Sequence, residues 1–588
     1  MVKPYVLLAL ILFLVILLYK EVFHPVVSFL LISSALVLLG IVNPKELLAG
    51  FSNEQIASIA LLLVISSLVK KLGILETFIG MLIKDNLSYR TFLLRLTVSV
   101  SFLSAFLNNT PIVATLIPYV YEWGKKKGIA PSKLLIPLSY AAILGGTITL
   151  IGTSTNLLVN GLAVESGLPP LGMFDFSYVG IPATAAGVIY MITLGYKLLP
   201  SRKDAISEFL SQKREYLVET FVPEGSPIVG KTVSQAKLRN LEGLFLVEII
   251  RRKNRIAPVS PEDRIEAGDI LLFAGETEKV IELANGKRGL KLPPACSIEL
   301  NGKVDVVEAL VPINSSLIGK RVKDTDFRGK FDAAILAVHR SGEKLKGKIG
   351  EIILKPGDLL LILAGKDFWK RVSDSKDLYV ITKLKELNKV ESWKSFLFAL
   401  GFISSIILSS LNIYPLFGSL FILITVSILL GLTSYAEVKK GFDFDIVLIA
   451  ALSLAIGKAM VTTGLAEKGA ELIVAIADKF GVIASLAAVY LIANLLTEFI
   501  TNLAAASLTF PLAISVANSL SVNPKPFILA VAFGASASFL TPIGYQTNLM
   551  VYSLGNYKFK DFLKVGIPLS IIYGLVTISF LTLVYLRR

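Results

Sequence analysis

The chain has 588 residues, 54% of them hydrophobic, with a mean hydropathy of +0.69. That composition excludes an ordinary soluble globular protein and predicts a polytopic α-helical membrane protein. The net charge of +15 is not read as a nucleic-acid signature, because the basic residues are mixed with acids or sit beside apolar runs, as cytoplasmic retention of Lys and Arg predicts.

Cys296 is the single cysteine, which excludes an intramolecular disulfide framework and a CxxC metal site. Two histidines, His24 and His339, argue against a histidine metal site. The apolar run from Pro4 to Tyr19 shows no obvious small-residue cleavage site and reads as a retained first helix.

In the first apolar part, 1–199, spans are expected at 4–19, 24–42 and 54–70, with an amphipathic stretch at 72–86. A hairpin follows, through 91–107 and back through 111–122, with Asn108, Asn109, Thr110 and Pro111 at its tip. Arms of about 15 residues fall short of a hydrocarbon core of roughly 30 Å, so they read as re-entrant. Next comes a helix broken at Gly152–Asn156, expected as 133–149 and 157–165, and a last span at 177–199.

Residues 200–392 are rich in charge and alternate like short strands, so they read as an inserted soluble domain. A linker helix is expected at 200–216. Within the insertion, 217–286 and 306–374 repeat each other 89 residues apart: Val218-Glu219 with Val307-Glu308, Pro223 with Pro312, Gly230-Lys231 with Gly319-Lys320, and Gly268-Asp269 with Gly357-Asp358. No Gly-rich phosphate loop occurs, so no Rossmann nucleotide site is expected.

The second apolar part, 393–588, copies the first. Its expected order is 393–410, 413–432, 444–462, amphipathic 464–480, hairpin 482–517, broken helix 525–540 and 549–555, and a span at 563–586. Thr149-Leu150-Ile151-Gly152 through Asn156 recurs 392 residues on as Thr541-Pro542-Ile543-Gly544 through Asn548. Ser104, Asn108 and Asn109 meet Thr497, Thr501 and Asn502, and Pro118 meets Pro511, all at 393. Asp175 with Val179–Pro182 meets Asp561 with Val565–Pro568. With five crossings per half, the halves must be inverted repeats. Lys70-Lys71, Lys125–Lys127, Arg202-Lys203, Lys439-Lys440, Lys558, Lys560 and Lys564 share one side, which the charge bias assigns to the cytoplasm, together with the insertion; Lys3, Lys45, Lys525 and Arg587-Arg588 dissent.

Matched breaks in two halves point to a secondary transporter's binding site. Helix N-termini at mid-membrane favour an anion, and Ser, Thr, Asn and free carbonyl oxygens suit a hard cation. Glu498 is the one carboxylate near a tip, a candidate proton or cation relay or an acid bonded to backbone amides. Lys458 reads as interfacial. Carrying a dianion inward against 100 mV costs about 4.6 kcal/mol, which coupled cations offset.

These tips and breaks resemble the divalent anion/sodium symporter family, whose members carry citrate, dicarboxylates or sulfate. The resemblance covers both apolar parts. It implies Na⁺ sites at Ser104, Asn108, Asn109 and Gly152 and at Thr497, Thr501, Asn502 and Gly544. It implies a substrate site near Asn109, Thr110, Thr153, Asn502 and Tyr545, a homodimer, and elevator-type movement. It implies no enzyme and no organic cofactor. The chain departs from the family pattern at Asn-Asn-Thr in the first tip, at Leu503 in the second, in lacking Pro-Pro in both breaks, and in lacking an extra N-terminal helix. The repeated unit of the insertion resembles the RCK C-terminal (TrkA-C) domain, which implies regulation and a small regulatory ligand. Such insertions resemble those of sulfate-type members, so sulfate is expected before a dicarboxylate. The expected location is the cytoplasmic (inner) membrane. An RCK-regulated monovalent cation transporter or cation/proton exchanger stays open as the alternative. A K⁺ filter of the Thr-Val-Gly-Tyr-Gly type is absent. No catalytic triad, paired acids or His/Cys cluster appears in the insertion, which argues against an enzyme.

Overall fold

The computed structural model describes residues 3–20, 22–75, 87–202 and 392–586, most of 217–275 and 306–380, and positions 78 and 290. The first apolar part forms α1 (Lys3–Tyr19), α2 (Pro25–Leu38), α3 (Pro44–Ala49), α4 (Glu54–Lys71), α5 (Tyr89–Ser104), α6 (Asn109–Lys126), α7 (Leu135–Gly146), α8 (Ser154–Glu165) and α9 (Ser177–Tyr190). The last part, after the insertion's β1–β9, α10 and α11 given below, forms α12 (Ser392–Ser410), α13 (Leu416–Leu429), α14 (Tyr435–Gly441), α15 (Phe444–Thr462), α16 (Leu465–Phe480), α17 (Val482–Thr497), α18 (Asn502–Ser519), α19 (Lys525–Ser536), α20 (Gln546–Leu554) and α21 (Phe559–Leu581). Four stretches among the described residues are long and apolar enough to span a membrane: Ser177–Leu198, Trp393–Ser410, Phe444–Thr462 and Phe559–Leu586. Two bent helix pairs bring the number to six. The chain is thus a multi-pass membrane protein.

Several expected boundaries move. The spans at 24–42 and 413–432 are the 14-residue helices α2 and α13, about 21 Å long. Both end at a left-handed glycine, Gly40 and Gly431, with the next amide reaching back to Leu36 and Ser427 carbonyls at 2.9 Å. That is a helix-terminating motif that only glycine adopts without strain. The short helices α3 and α14 that follow were not expected. Each carries a capping box, Asn43 with Glu46 and Ser434 with Glu437, the spacing that starts a helix. The broken helices part at 147–153 and 537–545, so the breaks begin earlier than expected and Ser154–Asn156 is already helical. The reason is Asn156: its amide donates to the Thr149 carbonyl at 2.8 Å and caps the preceding strand of loop. The amphipathic stretch at 464–480 is α16, whereas most of 72–86 and of the linker helix 200–216 lies outside the described residues.

Packing between the two apolar parts is reciprocal. Helix α2 packs on α15 and α13 on α4; α3 packs on α15 and α14 on α4. Likewise α8 packs on α18 and α19, while α20 packs on α6 and α7; α9 and α21 pack on each other. In these pairs each helix contacts the partner of its own counterpart. One apolar core spans both parts, and Gly180 and Gly566 let α9 and α21 lie directly on the Thr147 and Phe539 carbonyls of the two breaks. Lys525 pairs with Asp175 at 2.9 Å and ties the two parts together, while Arg202, three residues past the first part, pairs with Asp561 of the second at 2.8 Å.

The insertion folds as two antiparallel sheets. The first contains β1 (Leu217–Phe221), β2 (Leu244–Arg251), β3 (Asn254–Ile256) and β4 (Ile270–Gly275), in the order β1-β4-β2-β3. The second contains β5 (Val306–Leu310), β6 (Ala333–Arg340), β7 (Glu343–Lys344), β8 (Leu359–Ala364) and β9 (Tyr379–Val380), in the order β7-β6-β8-β5-β9. The short helices α10 (Phe327–Phe331) and α11 (Phe368–Ser373) belong to the second unit. Registers and bulges match residue for residue: Leu217 pairs with Ala274 as Val306 pairs with Leu363, and shifts fall at Leu246/Glu248 and Ile335/Ala337. Strand β9 extends the second unit past residue 374, because its Val380 pairs with Ala309. Each unit has its own apolar core.

Candidate functional site

Each hairpin turns at a capped helix start. Asn108 caps α6, its side chain accepting from the Thr110 amide; Thr501 caps α18, accepting from Ala504 at 3.3 Å. Thr153 and Tyr545 stand at the corresponding positions of α8 and α20, with no side-chain cap. Four helix N-termini thus begin at the tips and breaks, each with unpaired amides and a partial positive charge.

The internal wiring of the two parts is the same. The Ser104 hydroxyl lies against Asn109 Oδ1 and 2.7 Å from the Ala142 carbonyl. The Thr497 hydroxyl lies 2.8 Å from Asn502 Oδ1 and 2.7 Å from the Ala535 carbonyl. Thr149 donates to the Ala105 carbonyl, and Thr541 to the Glu498 carbonyl at 2.9 Å. Asn156 and Asn548 each donate across their own break, to Thr149 and Ser538 carbonyls at 2.8 Å.

Gly152 and Gly544 are where tip and break touch. A Cβ on Gly152 would meet three carbonyl oxygens, Gly146 at 2.5 Å, Ser104 at 2.9 Å and Ala105 at 3.0 Å. A Cβ on Gly544 would meet Ser538 Oγ at 2.2 Å, and Thr497 O and Thr541 Oγ1 at 3.0 Å. Each glycine therefore faces a small nest of neutral oxygens. Ser538 Oγ, Asn156 Oδ1 and Asn502 Nδ2 are buried with no hydrogen-bond partner. Buried orphan polar atoms are costly, and oxygens of this kind are hard-cation ligands.

The nests are joined through Tyr545. Asn109 Nδ2 donates to its hydroxyl at 2.6 Å, and the Thr153 side chain also hydrogen-bonds it. Beside this, Thr110 donates to Gln546 Oε1 at 2.9 Å. Asn109, Thr110, Thr153 and Tyr545 therefore come together, while Asn502 is bonded to Thr497 in its own tip. Gln546 is a site residue that the sequence reading passed over; its place directly after Tyr545 at a helix start was the available signal. Ser139 braces the second break from the other part, 2.7 Å from Asn548 Oδ1 and 2.8 Å from Thr547 Oγ1, and nothing in its apolar run marks it.

Glu498 is almost fully buried, and its carboxylate accepts from the Leu540 and Thr541 amides, both at 2.8 Å. Its counterpart in the first tip is Ala105. Lys458 is exposed on α15. Among the described residues no group of three His, Cys, Asp or Glu side chains could hold a metal ion.

The chain belongs to the citrate transporter family, which it matches over residues 10–523 and 406–588, and it is an anion transporter by that membership. Among its relatives is a Chlamydomonas reinhardtii protein provisionally named a sulfur deprivation response regulator, 34% identical over 95% of this chain and 97% of that one. An uncharacterised transporter of Synechocystis is 32% identical over 95% of this chain and 93% of its own length. Sodium/sulfate cotransporter 1 of Chlamydomonas reinhardtii is 24% identical over 90% of this chain and 84% of that one.

Proposed function

We propose that the chain is a secondary active symporter that carries a small divalent anion, sulfate before a dicarboxylate, with Na⁺ as coupling ion. The observation that carries this reading is the pair of oxygen nests at Gly152 and Gly544, flanking the cluster of Asn109, Thr110, Thr153 and Tyr545. Na⁺ would be held by the Ser104, Ala105 and Gly146 carbonyls on one side. On the other it would meet the Thr497 carbonyl with the Ser538 and Thr541 hydroxyls, and Asn108, Asn109, Thr501 and Asn502 would line the tips. The anion would lie on helix N-termini and neutral donors between them. No Arg or Lys is among these residues, so coupled cations would offset the cost of moving a dianion inward, which favours symport. A sodium/sulfate cotransporter among the relatives supports the choice of ions.

The reciprocal packing supports two inverted repeats, with α5–α9 and α17–α21 forming the body that moves as an elevator against α1–α4 and α12–α16. The insertion is read as two RCK C-terminal-like regulatory units on the cytoplasmic side, and the working unit as a homodimer in the cytoplasmic membrane. Glu498 serves this site by pinning the second break, since both its oxygens are already used by backbone amides.

The test is uptake of labelled sulfate and succinate into proteoliposomes with and without an inward Na⁺ gradient. Sulfate uptake that needs Na⁺ and is lost in Asn109→Ala and Asn502→Ala is the expected result. Cation flux without either anion, unaffected by both substitutions, would replace this reading with a cation transporter.

A further inference from the structure

We propose that the second sheet unit of the insertion is a plug, seated on the mouth that leads from the tip cluster to the face bearing Lys70 and Lys440. This goes beyond the transport reading in naming the regulated step, and it rests on that reading for which solute is held back. A cavity of about 250 Å³ opens over the first tip. Its floor is Asn108, Thr110, Pro111 and Gln546, which lie at the starts of α6 and α20. Its roof comes from the insertion: Pro312, Gly357 and Tyr379. Lys70 closes one wall, with its ammonium 5.6 Å from the centre of the Tyr379 ring.

The contact is built, not incidental. Leu310 of β5 and Leu359 of β8 are each 1% exposed, and they belong to the apolar core of the membrane helices rather than to that of their own unit. The turn at Gly357 is pressed onto α20: Ser553 donates to the Gly357 carbonyl, and a Cβ on Gly357 would stand 2.8 Å from Leu549 Cδ1. Helix α20 also carries Gln546, so the plug bears on the element that forms the site.

The first sheet unit provides an internal comparison. Its equivalents of Leu310, Leu359 and Gly357 are Phe221, Ile270 and Gly268. Phe221 and Ile270 are only half-buried, and among the described residues nothing stands within 4 Å of a Cβ on Gly268. The same turn and strands thus occur twice, and one copy docks on the membrane helices. The sheet repeat alone does not demand that contact, so it is specific to the second unit. A solute leaving the tip cluster on this side must displace Pro312, Gly357 and Tyr379. Transport therefore requires the unit to lift, and whatever holds it down slows transport.

Two readouts test this, both in full-length protein with Cys296→Ser. In the first, Ala114→Cys, on the cavity wall, is labelled with a water-soluble maleimide and compared with Ser201→Cys outside it. The expected result is labelling at least thirtyfold slower at position 114; equal rates overturn the plug, whatever the solute carried. In the second, Leu310→Ala with Tyr379→Ala weakens the seat. Labelling at position 114 should rise at least tenfold and initial sulfate uptake at least threefold, with KM unchanged. Unchanged labelling overturns the plug. Fast labelling with unchanged or lower uptake, in protein whose apparent melting temperature is retained, overturns its control of transport. If no variant carries sulfate, the labelling result still decides the plug and the transport reading alone fails.

Discussion

At the residue scale, the two glycines differ in what they can tolerate. Gly152 faces backbone carbonyls, which cannot move without moving a helix, while the nearest atom to Gly544 is a serine hydroxyl that can rotate. Gly152→Ala is therefore expected to abolish Na⁺-dependent uptake, and Gly544→Ala to leave a measurable remnant; Na⁺ protection against thermal unfolding reads the same order without transport. Tyr545→Phe removes the hydroxyl that joins Asn109 and Thr153 and should weaken anion affinity by about tenfold, the effect of one buried hydrogen bond of about 1.4 kcal/mol. Glu498→Ala strands two buried amides, each worth about 1–3 kcal/mol, so it should lower stability more than Glu498→Gln, which keeps one acceptor. Melting of both variants in detergent checks the order. Glu498 shows how far sequence reasoning reached: a lone carboxylate in apolar sequence is conspicuous, but only the fold shows its two amide partners 42 and 43 residues away.

At the scale of single elements, α4 and α14 are held by Lys71 and Glu437, 2.7 Å apart. Burial alone would raise the Glu437 carboxyl, but the Lys71 ammonium, the Ser434 amide and the Thr433 hydroxyl outweigh it and bring it down to about 2 from the usual 4.5. A depressed carboxyl stabilises the fold above its unfolded value and loses that contribution as protons bind in the fold. The contact is thus fully present above about pH 4.5 and fades toward pH 2. Both groups are partly exposed, so the effect is modest, and Glu437→Gln should flatten the acid limb of the melting curve in that window. In the insertion, Arg251–Asp269 and Arg340–Asp358 lie at the same place in each sheet, at 2.9 and 2.7 Å, with both aspartates fully buried. Asp358→Ala leaves Arg340 with only the Ile353 carbonyl and the Lys355 amide without its carboxylate acceptor, and should cost about 3 kcal/mol, seen as faster hydrogen exchange in β8. The Gly-Asp pairs were legible as a repeat; the arginine that each aspartate holds was not, because it lies on a different strand.

At the scale of the whole molecule, the two apolar parts are interlocked rather than side by side, since α8 lies on α18 and α20 on α6. Lys525–Asp175 and Arg202–Asp561 close the rim of this interlock on the paired Asp positions of the repeat. Arg202 also donates to the Asn556 carbonyl at 2.6 Å. Arg202→Ala should therefore lower stability by about 1–2 kcal/mol, more than Asp175→Ala, and the two should add, because distant sites act independently. Thermal unfolding of the single and double variants measures this.

By itself the sequence determined the membrane class, and it displays the recurring order of apolar and Gly/Thr/Asn-rich segments and the recurring residues of 217–286 and 306–374. These are legible because apolar runs, helix-breaking residues and repeated spacings act locally along the chain. Tertiary structure alone decided that Tyr545 joins the first tip to both breaks, that Gln546 meets Thr110 while Ser139 braces the second break, and that one of two like sheet units seats on the membrane helices. Those outcomes depend on contacts between residues hundreds of positions apart, set by which apolar faces bury one another. No local pattern in the chain encodes which of several compatible faces will meet.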